Sequence, residues 1–174
     1  MDDFYLGARS KCTPGTGDKS GGGSDKSRII IALSKVDGKP KYLKMLLAPG
    51  PVRKEDVKGF APEAVAKGSH LTTDNGGAYN GLDKMGFSHT AKVYYKQGPE
   101  FLKWLHVIIS NVKSLVSGTY HGLDETHLQA YLTEICYRFN RRWDADGLFD
   151  RLTLACATGQ HLGWSRLVIP PKRV

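Results

Sequence analysis

The sequence predicts a mixed α/β domain, and three observations predict it: short β-branched or alternating runs, helical patterns set between and after them, and a length suited to one core. With 174 residues and 40% hydrophobic composition the chain can bury one sizeable core, so a single domain is expected.

The elements follow in order. Asp2 opens the strand-like run DDFYL. Residues 9–27, RSKCTPGTGDKSGGGSDKS, are rich in Gly, Ser and Lys and nearly free of large apolar side chains, which predicts a flexible basic loop. Arg28–Ser34, RIIIALS, reads as a buried strand, and Lys41–Ala48 as a second one after the turn Val36–Pro40, together a hairpin. Lys54–Ala66 is helix-like with a break at Ala61-Pro62. Ser69–Thr73 returns to strand and ends at Asp74, and Asn75-Gly76-Gly77 is the turn that follows. A short helix through Tyr79 and Leu82 should end near Gly86, and His89–Tyr95 alternates like a strand.

In the second half, Gly98-Pro99 can start a helix, since proline at the first helical position gives up no hydrogen bond. Leu102, Leu105, Ile109, Val112 and Val116 then recur every three or four residues as one apolar stripe. His106 and Lys113, seven residues apart, fall in line on a neighbouring stripe. Gly118 is the expected stop. Asp124 can cap a further helix that buries Leu128, Tyr131, Leu132, Ile135 and Phe139 and ends in Arg138, Arg141 and Arg142. Leu148–Ala157 reads as the last helix.

A formal charge of +8 and a pI near 9.4 favour a polyanionic partner, with nucleic acid first among them. Cys12, Cys136 and Cys156 are far apart and lack the paired spacing of a zinc ribbon, which predicts reduced thiols. There is no apolar signal core and no run near the roughly 18 apolar residues of a membrane span, so a soluble protein is expected. Gly21-Gly22-Gly23 is linker-like, and no phosphate-binding loop of Walker or dinucleotide type is present.

Asp2, Asp74 and His106 are the candidates for chemistry, with Lys113 in support. Phosphodiester cleavage and strand transfer need an activated nucleophile on one side of phosphorus and a stabilised leaving oxygen on the other, which two divalent ions about 3.5–4 Å apart can supply. Hard Mg²⁺ prefers carboxylates, and a neutral imidazole can complete the set, with Mn²⁺ tolerating nitrogen better. Lys113, about 10 Å along the helix from His106, could hold a backbone phosphate. Each residue also has an ordinary reading. An Asp before Asn-Gly-Gly is a common turn former, and Asp2 and Asp3 at a chain end are commonly just solvated. His106 beside an apolar stripe can be a hydrogen-bonded boundary residue, and Lys113, Arg138, Arg141 and Arg142 can be a solvated face or charges that complement a helix dipole. From pattern alone the chain is a basic α/β domain.

Three stretches go further: Asp2-Asp-Phe-Tyr-Leu-Gly7, Thr73-Asp-Asn-Gly-Gly-Ala-Tyr79, and HVIISNVKSLVSGTYHGLDETHLQAYLTEICYRFNRR from His106 to Arg142. In these the chain resembles the catalytic domain of ISXO-type insertion-sequence transposases, a bacterial and archaeal group with a DDE-like active site. The third is the most specific, through its Gly118-Thr-Tyr-His121 turn and the helix ending Tyr137-Arg-Phe-Asn-Arg-Arg142. The resemblance implies a ribonuclease H-like fold with a mixed central sheet flanked by helices over residues 1–158, residues 159–174 being a C-terminal tail. It implies Asp2, Asp74 and His106 as metal ligands for Mg²⁺ or Mn²⁺, with His106 where most DDE enzymes carry glutamate, and Lys113 as the lysine seven residues on. It further implies double-stranded DNA and the terminal inverted repeats of the element as partners, a cytoplasmic, nucleoid-associated location, and a homodimer as one assembly.

A neutral His leaves the cluster one negative charge short of Asp-Asp-Glu, which implies weaker Mg²⁺ binding and activity lost in acid as the ring protonates. Transposases of this group carry an N-terminal zinc ribbon, and their first strand begins several residues before the first aspartate. Here Met1 directly precedes Asp2, so the expectation is an N-terminally truncated first strand with Asp2 near a frayed end. Three functions follow: the first is a transposase catalytic domain, active or a remnant, and the second, alternatively, a non-catalytic basic DNA-binding or interaction protein. A general nuclease of the same fold is the third.

Overall fold

The computed structural model describes residues 1–6, 27–48, 50–74, 76–92, 101–120 and 125–159. Strands β1 (Asp2–Leu6), β2 (Ser27–Val36) and β3 (Lys39–Ala48) form an antiparallel sheet in that order. β2 and β3 meet in a two-residue turn, Asp37-Gly38, with φ of 52° and 73°. Two left-handed residues match the twist of the flanking strands, and Asp-Gly tolerates them. β1 is paired with β2 from Asp2↔Ile31 to Leu6↔Ser27. The pairing thus begins at Asp2 itself, and no frayed end separates it from the sheet.

A second sheet pairs β4 (His70–Thr73) with β5 (Ser88–Ala91) in parallel. The two sheets are joined where the Met1 amino group donates to Thr72 O at 2.7 Å. Between β4 and β5 the chain makes two 3-10 turns, Gly77–Tyr79 and Asp83–Met85, where a short α-helix was expected. Gly81 at φ 101° is the reason, since that left-handed residue cannot continue a right-handed helix.

Among the described residues the α-helices are α1 (Lys54–Ala64), α2 (Lys103–Thr119), α3 (Glu125–Arg141) and α4 (Leu148–Thr158). Asp56 reaches back to accept from the Arg53 amide at 2.9 Å, which satisfies one donor at the start of α1. Two expected interruptions are absent. Pro62 lies inside α1, which runs on to Ala64, and Gly118 lies inside α2, which ends one residue later. A proline near a helix end costs one hydrogen bond and a glycine about 1 kcal/mol, both repaid here by the buried faces of the helices. The loop at 9–26, the Gly98-Pro99 helix start, the Asp124 cap, residues 93–95 of the expected strand and the tail beyond Gly159 lie outside the described residues.

Strand alternation sends apolar side chains to both faces of the three-stranded sheet. Phe4, Leu6, Ile29, Ile31, Leu43 and Met45 pack beneath α2 and α3, which contribute Leu105, Ile108, Val112, Leu132 and Cys136. Met1, Ile30 and Ala32 pack on the opposite face with Val57 and Phe60 of α1 and with Tyr79 and Leu82. The Ile29-Ile30-Ile31 run is fully buried because both faces are covered. α4 buries none of its residues, and an Arg151–Asp144 ion pair ties it to the segment after α3. Among the described residues no helix is long and apolar enough to cross a membrane.

Candidate active site

Asp2 and Asp3 are neighbours in β1, so their side chains leave opposite faces of the sheet. Asp2 goes with Phe4 and Leu6 to the α2 side. It is buried at 9% exposure, and its Oδ1 accepts from the Asp3 amide at 2.8 Å. Burial pushes its carboxyl above the usual aspartate range; the negative charges of Asp74 and Asp3 push the same way, while His106 opposes them. Asp74, at the end of β4, and His106, in the first turn of α2, are therefore each within electrostatic reach of Asp2 in β1.

Asp74 is set by its local backbone. Its Oδ1 accepts from the Gly76 amide at 3.2 Å, and its carbonyl accepts from the Thr73 hydroxyl at 2.7 Å. Thr73 is fully buried and also bonds His89 Nε2 at 2.8 Å, which ties the end of β4 to β5. His106 is half-buried, and its Nε2 is shut off from solvent. Lys113 is exposed, with Nζ 5.7 Å from the centre of the Phe4 ring, a cation–π distance. Phe4 and Asp2 share a face of β1, so Lys113 and His106 lie along the same side of the sheet.

The arginines at the end of α3 differ from one another. Arg138 pairs with Glu134 at 3.8 Å, and Arg141 stacks on Tyr137 at 3.8 Å; both are exposed. Arg142 is turned inward: it donates to Pro40 O at 2.6 Å and Phe139 O at 2.5 Å and lies between the Phe139 and Trp143 rings. It fastens α3 to the β2–β3 hairpin.

Among the described residues no group of three or more His, Cys, Asp and Glu side chains is placed to hold a metal ion. Asp74 and His106 each act electrostatically on Asp2, and the three do not close into a three-ligand cluster. The donor chemistry nevertheless suits a hard divalent cation: two carboxylates, one of them buried against the charge of the other, would be relieved by such an ion.

Behind these residues lies a network that the sequence reading gave no role. Asp3 accepts from the Tyr79 hydroxyl at 3.1 Å and from Arg28 Nε at 2.6 Å, and Arg28 sits over the Tyr5 ring at 5.0 Å. Tyr79 is 1% exposed. Its place five residues after Asp74 and the alternation of β1 were the available signals; nothing local pointed to Arg28.

A family model described as ISXO2-like transposase domain matches residues 1–140. No curated protein and no solved structure matches the chain.

Proposed function

Because the chain belongs to the ISXO2-like transposase domain family, we propose that it is a transposase catalytic domain that cleaves and joins DNA phosphodiesters at insertion-sequence ends. The observation that carries the reading is the burial of Asp2 beside the charge of Asp74, with His106 also within electrostatic reach of Asp2. A fold has little reason to bury one carboxylate beside the charge of another unless a cation completes the site.

Asp2 and Asp74 would hold Mg²⁺ or Mn²⁺, with His106 as the nitrogen donor. Such ions supply an activated nucleophilic oxygen and charge relief on the leaving oxygen. The chain's own part is positional: β1 and the end of β4 carry the carboxylates, the Gly76 amide orients Asp74, and α2 carries the imidazole with its Nε2 out of solvent. Lys113, exposed on the same side, would hold a backbone phosphate, and Arg138 and Arg141 would add sequence-independent contacts. Arg142, engaged with three backbone carbonyls, we assign to fold rather than to DNA.

The strand layout supports a ribonuclease H-like arrangement. The order β3-β2-β1 is antiparallel, β1 is joined through Met1 to β4, and β4 is parallel to β5. Double-stranded DNA bearing the element's inverted repeats is the proposed partner, and a homodimer the proposed assembly.

The test is nicking of supercoiled plasmid by the purified chain in Mg²⁺ or Mn²⁺, beside Asp74→Asn and His106→Ala. Metal-dependent nicking lost in both variants is expected. A folded protein that binds DNA with a steep salt dependence, survives chelation and never nicks would replace this reading with the non-catalytic DNA-binding one.

A further inference from the structure

We infer that Tyr79, anchored by Asp3 and Arg28, is a positioning residue that sets the spacing of the Asp2 and Asp74 carboxylates and so their affinity for a divalent ion. The inference rests on the function proposed above and adds to it the device that holds the pair.

The links run from the Asp74 carboxylate to Asp3, the residue whose amide donates to Asp2 Oδ1 at 2.8 Å. Asp74 Oδ1 accepts from the Gly76 amide at 3.2 Å. Gly76 O accepts from the Tyr79 amide at 3.1 Å, which closes the 3-10 turn. The Tyr79 hydroxyl then donates to Asp3 Oδ1 at 3.1 Å, and Asp3 is the neighbour of Asp2 in β1. Arg28 from β2 takes the other oxygen of Asp3 at 2.6 Å, so Asp3 has no freedom to follow a moving ring. The turn also has no slack: a Cβ at Gly76 would lie 3.1 Å from Asp74 Oδ1 and 3.3 Å from Tyr79 Cδ2.

The chemistry of the phenol agrees with a fixed donor. Burial and the charges of Asp3, Asp2 and Asp74 all raise its pKa far above the usual tyrosine value, so the hydroxyl keeps its proton at any working pH. Two carboxylates repel, and the work of holding them at one separation before a cation arrives sets the affinity of the site. A side chain bonded to the strand of one and packed against the turn of the other does that work.

Tyr79→Phe keeps the ring and deletes the hydroxyl. The full chain would be titrated with Mn²⁺ alone, following free ion by electron paramagnetic resonance, and the metal dependence of plasmid nicking and thermal unfolding recorded in parallel. Roughly tenfold weaker Mn²⁺ binding is expected, with nicking recovered at saturating metal and little change in melting temperature. Should Tyr79→Phe fail to fold, Arg28→Lys, at a side chain 27% exposed, carries the same expectation. Mn²⁺ affinity equal to that of the unaltered protein, with only the melting temperature lowered, would make Tyr79 a structural strut and overturn the inference. If the unaltered protein itself binds no Mn²⁺, the proposed function fails first and the inference with it.

Discussion

Asn140 of α3 closes both backbone groups of Leu43 on the outer edge of β3: its Oδ1 accepts from the Leu43 amide at 2.6 Å and its Nδ2 donates to the Leu43 carbonyl at 2.9 Å. Gln129, three turns earlier, treats the same edge in the same way, accepting from Leu47 N at 2.7 Å and donating to Met45 O at 3.4 Å. Two side-chain amides thus stand in for a neighbouring strand. An exposed edge invites pairing with another chain, and α3 covers this one.

Asn140→Ala should therefore cost about 1–3 kcal/mol, the usual penalty for stranding buried backbone groups. Urea unfolding would measure it. Light scattering of the variant should also show association beyond that of the parent. An unchanged midpoint and an unchanged particle size would mean that packing alone protects the edge.

The hairpin, the Asp2 and Asp74 strand positions and the Leu105 to Val116 stripe were legible because period and turn chemistry are local properties. The Asp37-Gly38 turn shows this, since its residue types alone demand the observed dihedrals. Edge capping by Asn140 was not legible, because it joins residues 97 apart and an amide at the polar boundary of a helix looks like any solvated one. The bonds of Arg142 were hidden for a related reason: a basic run ending a helix reads as a charged surface, whereas engagement with carbonyls and rings is a tertiary outcome. Asp2 was expected near a frayed end, yet strand pairing starts there and burial follows from the helix packed above it. The Asp3–Arg28–Tyr79 network was hidden because each link spans tens of residues.

Asp2 makes the fold sensitive to pH in a definite direction. Folding raises its pKa through burial and through Asp74, so the folded state favours the protonated form. That contribution is complete below the ordinary value of 3.8 and is lost as pH rises through the raised value, leaving an ionised carboxylate that burdens the fold at neutrality. Asp2→Asn, which can still accept from the Asp3 amide, should melt higher than the parent at pH 7 in chelator, and the difference should shrink below about pH 4. Added Mn²⁺ should reverse the ranking, because at about 100 times its dissociation constant a bound ion stabilises by roughly 2.7 kcal/mol and the variant lacks the ligand. Equal melting temperatures at pH 7 without metal would contradict the burial argument.

Cys136 should be inert where Cys156 is reactive. Cys136 lies on the core-facing side of α3 at 9% exposure, and burial pushes its thiol up to about 11. At pH 8 only about 1 in 1,000 such thiols is ionised, and alkylation needs the thiolate. Iodoacetamide followed by peptide mass mapping should modify the exposed Cys156 and spare Cys136 until urea unfolds the chain. Equal labelling of both in the folded protein would show that α3 opens readily.

Gly76→Ala separates the chemistry of the site from the stability of the fold. Gly76 has φ −67° and ψ 134°, which any L-residue adopts, so the substitution brings no backbone strain. The loss of unfolded-state freedom even favours alanine by about 0.4–1 kcal/mol. What the new methyl meets is Asp74 Oδ1 at 3.1 Å and the Tyr79 ring at 3.3 Å. The ring is buried and bonded at its hydroxyl, so the carboxylate is the group that gives way. A displaced ligand costs rate steeply, on the order of 100-fold for an ångström of misplacement. The expected result is a melting temperature at or above that of the parent together with plasmid nicking lowered by at least tenfold. Full nicking activity with an unchanged melting temperature would show that Asp74 tolerates displacement and does not need its present rotamer.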